Sequence, residues 1–523
     1  MKMKRTILWT GAMLVTMILS IGIQVGTAAS PAGEVKTAAT MFGNQVPIPY
    51  LEIAHANDWM QLLFDPLVGC TPDGKFSSDL GIANKWEMSP DALTWTFTLR
   101  RGVKFHDGVE LTAKDVKLSI EQQLLPDSSG GDAVILNKLI KSIEIKDPYL
   151  IVIHCKQPAV FLINFFSNME GTTGMVIPKD YYEKVGKDEF SKRPVGSGPY
   201  KFHSQMAGSF VKLEATEKHW RDGVPRFKYM TYLIIPEEST RIAMLRTGEA
   251  DVTRISRAAL KEAVSSGLNI VTKENGGVVV FTPNMQWTSP AFADIRFRKA
   301  LNLAIDREAI IKHLFGGVAK PLAAYPGSNI FAVGGDRTLK PYPYDFQEAR
   351  RLIKEGGWEG HEFTLLSYPR AGCPEFQQIV ETVAGYWEKI GLKPRIRMTE
   401  WAVWRKAWRE RKTQNTIHGY DDSTNPDAGA LLTKFQEKWY FKNVLSSVNM
   451  PELNEKFERI EKSLDIKEIS KLMADIYRVA YDNYLMVTIC EIPDKIATTK
   501  KIPKWDPGLR RTDRNYYDLI RQR

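Results

Sequence analysis

Cysteine is scarce in this chain, with 4 in 523 residues. Cys70, Cys155, Cys373 and Cys490 lie far apart and form no Cys-x-x-Cys pair, which removes the usual zinc and thiol-redox motifs. An oxidising compartment would permit disulfides, and buried thiols are the alternative; sequence does not decide whether Cys70 meets Cys155. Histidine is sparse too, with 8 dispersed copies. No His-Glu-x-x-His, Gly-x-Ser-x-Gly or Gly-x4-Gly-Lys-Ser/Thr string occurs, so nothing implies a catalytic residue, a metal site or a cofactor. Gly196-Ser197-Gly198 lacks the nucleophile-elbow pattern and is flanked by prolines, which marks a structural turn. Beyond residue 29, no run reaches the roughly 18 apolar residues that a spanning helix needs.

Charge of one sign is not concentrated anywhere. The net charge of +10 becomes +7 once residues 1–29, with three basic and no acidic residues, are removed. The basic residues are scattered among acids without a reader motif, so a solvated basic surface is expected and nucleic acid is not. Hydrophobic content of 43% and charged content of 25% are ordinary for a globular protein, and 523 residues suffice for two or three cores.

What the chain does have begins at its N-terminus. Lys2, Lys4 and Arg5 precede a mostly apolar stretch from Ile7 to Val25, then small residues through Ala29. This pattern predicts a signal peptide over 1–29, cleaved so that the mature chain starts near Ser30; an uncleaved anchor is the alternative. No cysteine lies near the exit, so lipidation is excluded and a periplasmic protein is expected.

The richest segment is Thr94-Trp95-Thr96-Phe97-Thr98-Leu99-Arg100-Arg101-Gly102-Val103-Lys104-Phe105-His106-Asp107-Gly108. Trp95, Phe97 and Leu99 alternate with threonines, predicting a half-buried strand. Gly102 and Asp107-Gly108 signal turns, and Thr112 is placed to cap a helix running to about Leu125 with Asp115 in its first turn. A second strand is expected at Leu150–Cys155. Further on come Arg193-Pro194-Val195-Gly196-Ser197-Gly198-Pro199-Tyr200, His219-Trp220-Arg221-Asp222-Gly223-Val224-Pro225, a helix from Ser239 to Gly248, and Asp294-Ile295-Arg296-Phe297-Arg298-Lys299-Ala300-Leu301. Ile295, Leu301, Ile305 and Ile310 lie near helical spacing and predict one buried face.

These motifs, in this order, resemble the family 5 (cluster C) extracytoplasmic solute-binding proteins, the peptide, dipeptide and nickel receptors of ABC importers. The resemblance runs from about residue 45 to 310 and more loosely to 430. It implies an α/β, bilobal type II periplasmic-binding-protein fold with a hinge. One lobe would comprise 30–67, 191–279 and 490–523; an inserted domain would span 68–190; the other lobe would span 280–489. The implied partners are a short-peptide or other small ligand and an ABC permease in the inner membrane, and the implied state is a monomer. A receptor for a non-peptide solute (a chelated metal, an opine or an organic acid) is the alternative, with a secreted hydrolase further off.

A receptor cleft needs a few fixed polar anchors: a carboxylate for a ligand amine and an arginine for a ligand carboxylate. Gly419-Tyr420-Asp421-Asp422-Ser423-Thr424-Asn425-Pro426 resembles the family loop that supplies the aspartate, which places that role on Asp422 with Tyr420 beside it. Two departures stand out: Gly419 replaces the usual tryptophan, and Asn425 replaces the acid before the proline. Asx turns are the structural alternative for Asp421 and Asp422. Arg370 occupies the position of the family's carboxylate-binding arginine, although Ala371-Gly372-Cys373 follows it in place of Pro-Tyr-Asn; a surface arginine is the alternative. Trp401, Trp404 and Trp408 share a helix face at i, i+3, i+7, and Trp401 and Trp404 are the candidate stacking contacts, a core stripe being the other reading.

Overall fold

The computed structural model describes residues 30–505 except 54–55, 72–74, 130–132, 168–170, 222–224, 325–337, 369–372, 374, 401–402, 405–406, 408–409, 411, 423–449 and 503–504. The expected signal peptide at 1–29 lies outside the described residues, as do Arg370, Trp401 and Trp408. No helix among the described residues is long and apolar enough to cross a membrane.

One large sheet runs through the molecule. Its strands follow the spatial order Lys393–Met398, Glu362–Ser367, Thr416–Asp422, Asn269–Pro283, Val487–Thr498, Val252–Ile255, Glu34–Ala39, Tyr229–Ile234, Phe210–Ala215 and Tyr200–Met206. Two long strands, Asn269–Pro283 and Val487–Thr498, pair antiparallel and belong to both halves. Their first rungs join Asn269 to Thr498 and Lys273 to Asp494; the register then shifts, and Gly277 opposite Ile492 begins the second half. The sheet is thus two lobes stitched by two strands.

In the second lobe the sheet is covered on both faces, which is why Val278-Val279-Val280-Phe281 reads as an unbroken apolar run. Val279 and Phe281 pack with helices Ile295–Leu303, Arg307–Phe315 and Phe376–Lys389. Val278 and Val280 pack with Pro451–Lys462 and Ile466–Asp482. Each such side chain contributes about 1.5–3 kcal/mol by leaving water. The single helical face expected from Ile295 to Ile310 is two helices instead. Asp306 caps the second by accepting from the Ala309 amide, so the periodicity restarts and Ile295 is 43% exposed while Leu301 and Ile310 are buried.

The first lobe carries an independent four-stranded sheet, Ala83–Met88, Thr94–Leu99, Leu150–Cys155 and Ile140–Asp147, with its own core. Trp95, Phe97 and Leu99 are buried there, as the alternation requires. Thr112 and Asp115 form a reciprocal capping box at the start of Ala113–Gln123. The four cysteines are buried thiols.

The motifs that carry the resemblance prove to be joints. The His106 imidazole donates from Nε2 to the Gly198 carbonyl (2.9 Å) and accepts the Gly196 amide at Nδ1 (3.2 Å), tying the His106-Asp107-Gly108 turn to the Gly196-Ser197-Gly198 turn. Both glycines are required by close approach: an added Cβ would lie 1.9 Å from the Leu63 carbonyl oxygen at Gly196 and 2.3 Å from that of Leu62 at Gly198. Asp65, fully buried, accepts from Trp220 Nε1 (2.8 Å), Arg221 Nη2 (2.9 Å) and His219 Nε2 (3.3 Å). Burial alone would raise the Asp65 carboxyl, but His219 and Arg221 hold it below its ordinary value.

Candidate ligand site at the carboxyl edge of the second lobe

Three strands of the second lobe run parallel: Glu362–Ser367 lies between Lys393–Met398 and Thr416–Asp422. Their carboxyl ends therefore share one edge, the side on which open α/β sheets bind ligands. Two of the sequence-derived candidates follow closely in the chain after residues at that edge. Tyr368, one residue beyond its strand, donates its hydroxyl to the Gly419 carbonyl (2.7 Å), and Arg370 follows two residues later in the chain. The amide of Thr399 donates to the Ser367 carbonyl (2.9 Å), and Trp401 follows two residues after Thr399.

Asp422 is placed by register. It stands opposite Val278, and Tyr420 stands opposite Val280. Val278 is one residue past Gly277, where the long strand has just crossed from the other lobe. Asp422 therefore occupies the last rung of its strand beside the crossover between lobes. The sequence suggested a turn-rich loop from Gly419; its first four residues, to Asp422, are instead the end of strand Thr416–Asp422. The Gly419 departure also has a physical reason. A Cβ there would fall 2.5 Å from the Phe281 ring and 2.9 Å from that of Phe376, so aromatic rings already fill the space over this position.

Trp404 is 4% exposed, and its ring centroid lies 4.7 Å from that of His418 on strand Thr416–Asp422. Burial pushes the His418 imidazole down to about 3, so the ring is neutral. In this structure Trp404 ties its segment to the sheet.

Sequence reasoning missed a charged group at the junction. Arg257 opens helix Arg257–Ser265 of the first lobe, just beyond Val252–Ile255. Its guanidinium reaches the second lobe, 4.0 Å from Glu375 and 5.1 Å from the centroid of the Phe315 ring. Burial lowers the Arg257 pKa, and Glu375 opposes that shift. On the preceding strand, Arg254 donates to Asp494 at 2.8 Å. No local pattern marks these residues, because each pair joins distant segments of the chain. Among the described residues no group of His, Cys, Asp and Glu side chains could hold a metal ion.

A two-lobed sheet crossed by a pair of hinge strands, with an extra domain on one lobe and a polar edge at the crossover, defines a type II solute receptor. The chain belongs to the bacterial extracellular solute-binding proteins of family 5, whose "family 5 Middle" pattern matches residues 80–442. It is similar to the glutathione-binding protein GsiB of Salmonella choleraesuis (strain SC-B67), 31% identical over 389 residues, covering 72% of each chain. In fold it is similar to the ABC transporter substrate-binding protein CtaP of Listeria monocytogenes, with TM-score 0.80, 22% identity and coverage of 94% and 100%. It is likewise similar to the periplasmic binding protein DppA of Helicobacter pylori in complex with the peptide STSA, with TM-score 0.75, 21% identity and coverage of 94% and 99%.

Proposed function

We propose that this receptor captures a short zwitterionic peptide or peptide-like solute between its lobes, outside the cytoplasm, and hands it to the permease of an ABC importer. Asp422 would take the ligand's amine, Arg370 its carboxylate, and Tyr420, Trp401 and Trp404 would line the apolar remainder. The observation that supports this reading is the shared carboxyl edge of three parallel strands beside the crossover, where Asp422 ends its strand and after which Arg370 and Trp401 follow closely in the chain. A carboxylate and a guanidinium at the two ends of one cleft select for opposite charges on one small molecule. The similarity to a glutathione-binding protein supports a ligand of tripeptide size.

In this proposal residues 30–67, 191–279 and 490–523 belong to the first lobe, with 68–190 as its inserted domain and 280–489 as the second lobe, so that each boundary between the lobes falls within a strand they share, a few residues beyond the register shift. The mature chain starts near Ser30 and acts as a periplasmic monomer, and its role is binding, not catalysis.

Isothermal calorimetry tests the reading. Glutathione should bind the wild-type protein, and Asp422→Asn and Arg370→Ala should each weaken it by about 30-fold or more, as loss of one partner of a desolvated charge pair does. Wild-type affinity in both variants contradicts this anchoring. A loss confined to Arg370→Ala points to a simple carboxylic acid ligand instead.

A further inference from the structure

The inserted domain packs directly against the second lobe. Val160 and Phe161 follow strand Leu150–Cys155 and are half-buried. They pack against the apolar cluster that Val278, Val280 and Leu322 form with helices Pro451–Lys462 and Ile466–Asp482. Their neighbours Leu162, Ile163 and Phe165 turn the other way, into the inserted domain's own core. Two consecutive apolar residues are thus presented outward while the next turn is held inward.

That presentation is rigid. Trp95 Nε1 donates to the Ala159 carbonyl (2.9 Å), and the Ala159 amide donates to the Ala92 carbonyl (3.0 Å). The amides of Leu162 and Asn164 donate to the carbonyls of Ala159 and Phe161 at 3.1 and 3.0 Å. The buried tryptophan of the signature strand therefore fixes the backbone from which Phe161 projects.

We propose that Val160 and Phe161 form a clasp that fastens the inserted domain to the second lobe when the receptor closes, and that it sets how long a captured solute is retained. The contact joins the inserted domain to the second lobe at a point separate from the Arg257–Glu375 contact, and opening would break it. Separation would return two apolar side chains to water, which favours closure with no ligand-specific chemistry. Where retention is concerned, the proposal rests on the receptor reading above; the clasp itself does not.

The test uses the full mature chain carrying spin labels at Lys141→Cys and Lys471→Cys, exposed positions on the inserted domain and on helix Ile466–Asp482. Pulsed dipolar spectroscopy without ligand should give a short-distance population. Phe161→Ser should shift it toward longer distances, Val160→Ser should do so less, and Gln157→Ser, exposed on the same loop, should not. Phe161→Leu serves if the serine variant fails to fold. With glutathione as probe, Phe161→Ser should release about tenfold faster, the ratio that partial burial of one aromatic side chain supports. Unchanged ligand-free distances in folded Phe161 and Val160 variants would overturn the clasp. If the wild type does not bind glutathione, the ligand reading fails while the ligand-free distances still decide the clasp.

Discussion

His106 shows how a single residue of a recognisable string does structural work. Its two ring nitrogens hold Gly196 and Gly198, one as acceptor and one as donor, so only the neutral ring fits. Burial pushes its pKa down to about 4 from the ordinary 6.5. An unfolded chain therefore binds a proton that the folded one refuses between these values. The stability from this residue is present above about pH 6.5 and is lost as pH falls toward 4, by an amount on the order of 3 kcal/mol. Thermal melts at pH 7 and pH 5 should show a drop that His106→Gln, which keeps one donor and one acceptor, makes smaller. Gly419 makes the converse case. Gly419→Ala should destabilise by about 1–3 kcal/mol, because the new methyl meets the Phe281 and Phe376 rings; a denaturant titration measures it. The sequence exposed Gly419 as a departure from the family's tryptophan but gave no hint of the cause, since both rings come from distant segments.

At the level of elements, much was legible. Thr94–Leu99 and Leu150–Cys155 emerge at the expected bounds because period-2 alternation and turn residues agree. Helix Ala113–Gln123 starts where Thr112 and Asp115 place it. The Ile295 to Ile310 face failed because Asp306 restarts the helix, a cap that apolar spacing overlooks. The proposed lobe boundaries at 279/280 and 489/490 fall on facing rungs, Val279 being opposite Cys490, a few residues beyond the register shift between Lys273 and Gly277. The Arg257–Glu375 contact is not readable from sequence, because Arg257 opens a helix of one lobe and Glu375 precedes a helix of the other. With side chains 21% and 12% exposed, a double-mutant cycle on thermal stability should give a coupling of about 0.5–1 kcal/mol that shrinks at high salt. Zero coupling at low salt would remove the pair as an inter-lobe tie.

For the whole molecule, the resemblance carried the architecture, and the family match secures it. The solute is a different matter, since in the proposal it depends on Asp422 and Arg370, beside which this chain departs from the family pattern. Closure of two lobes around a ligand should compact the protein, so solution scattering should give a smaller radius of gyration with glutathione than without it. The central claim, a zwitterionic solute held between the lobes, is tested most directly by mass spectrometry of the molecule released on denaturing protein purified from a native periplasm. A stoichiometric small molecule bearing both an amine and a carboxylate, missing from Asp422→Asn protein prepared in parallel, is the expected result. A released ligand lacking either group, or one retained equally by that variant, would contradict the account.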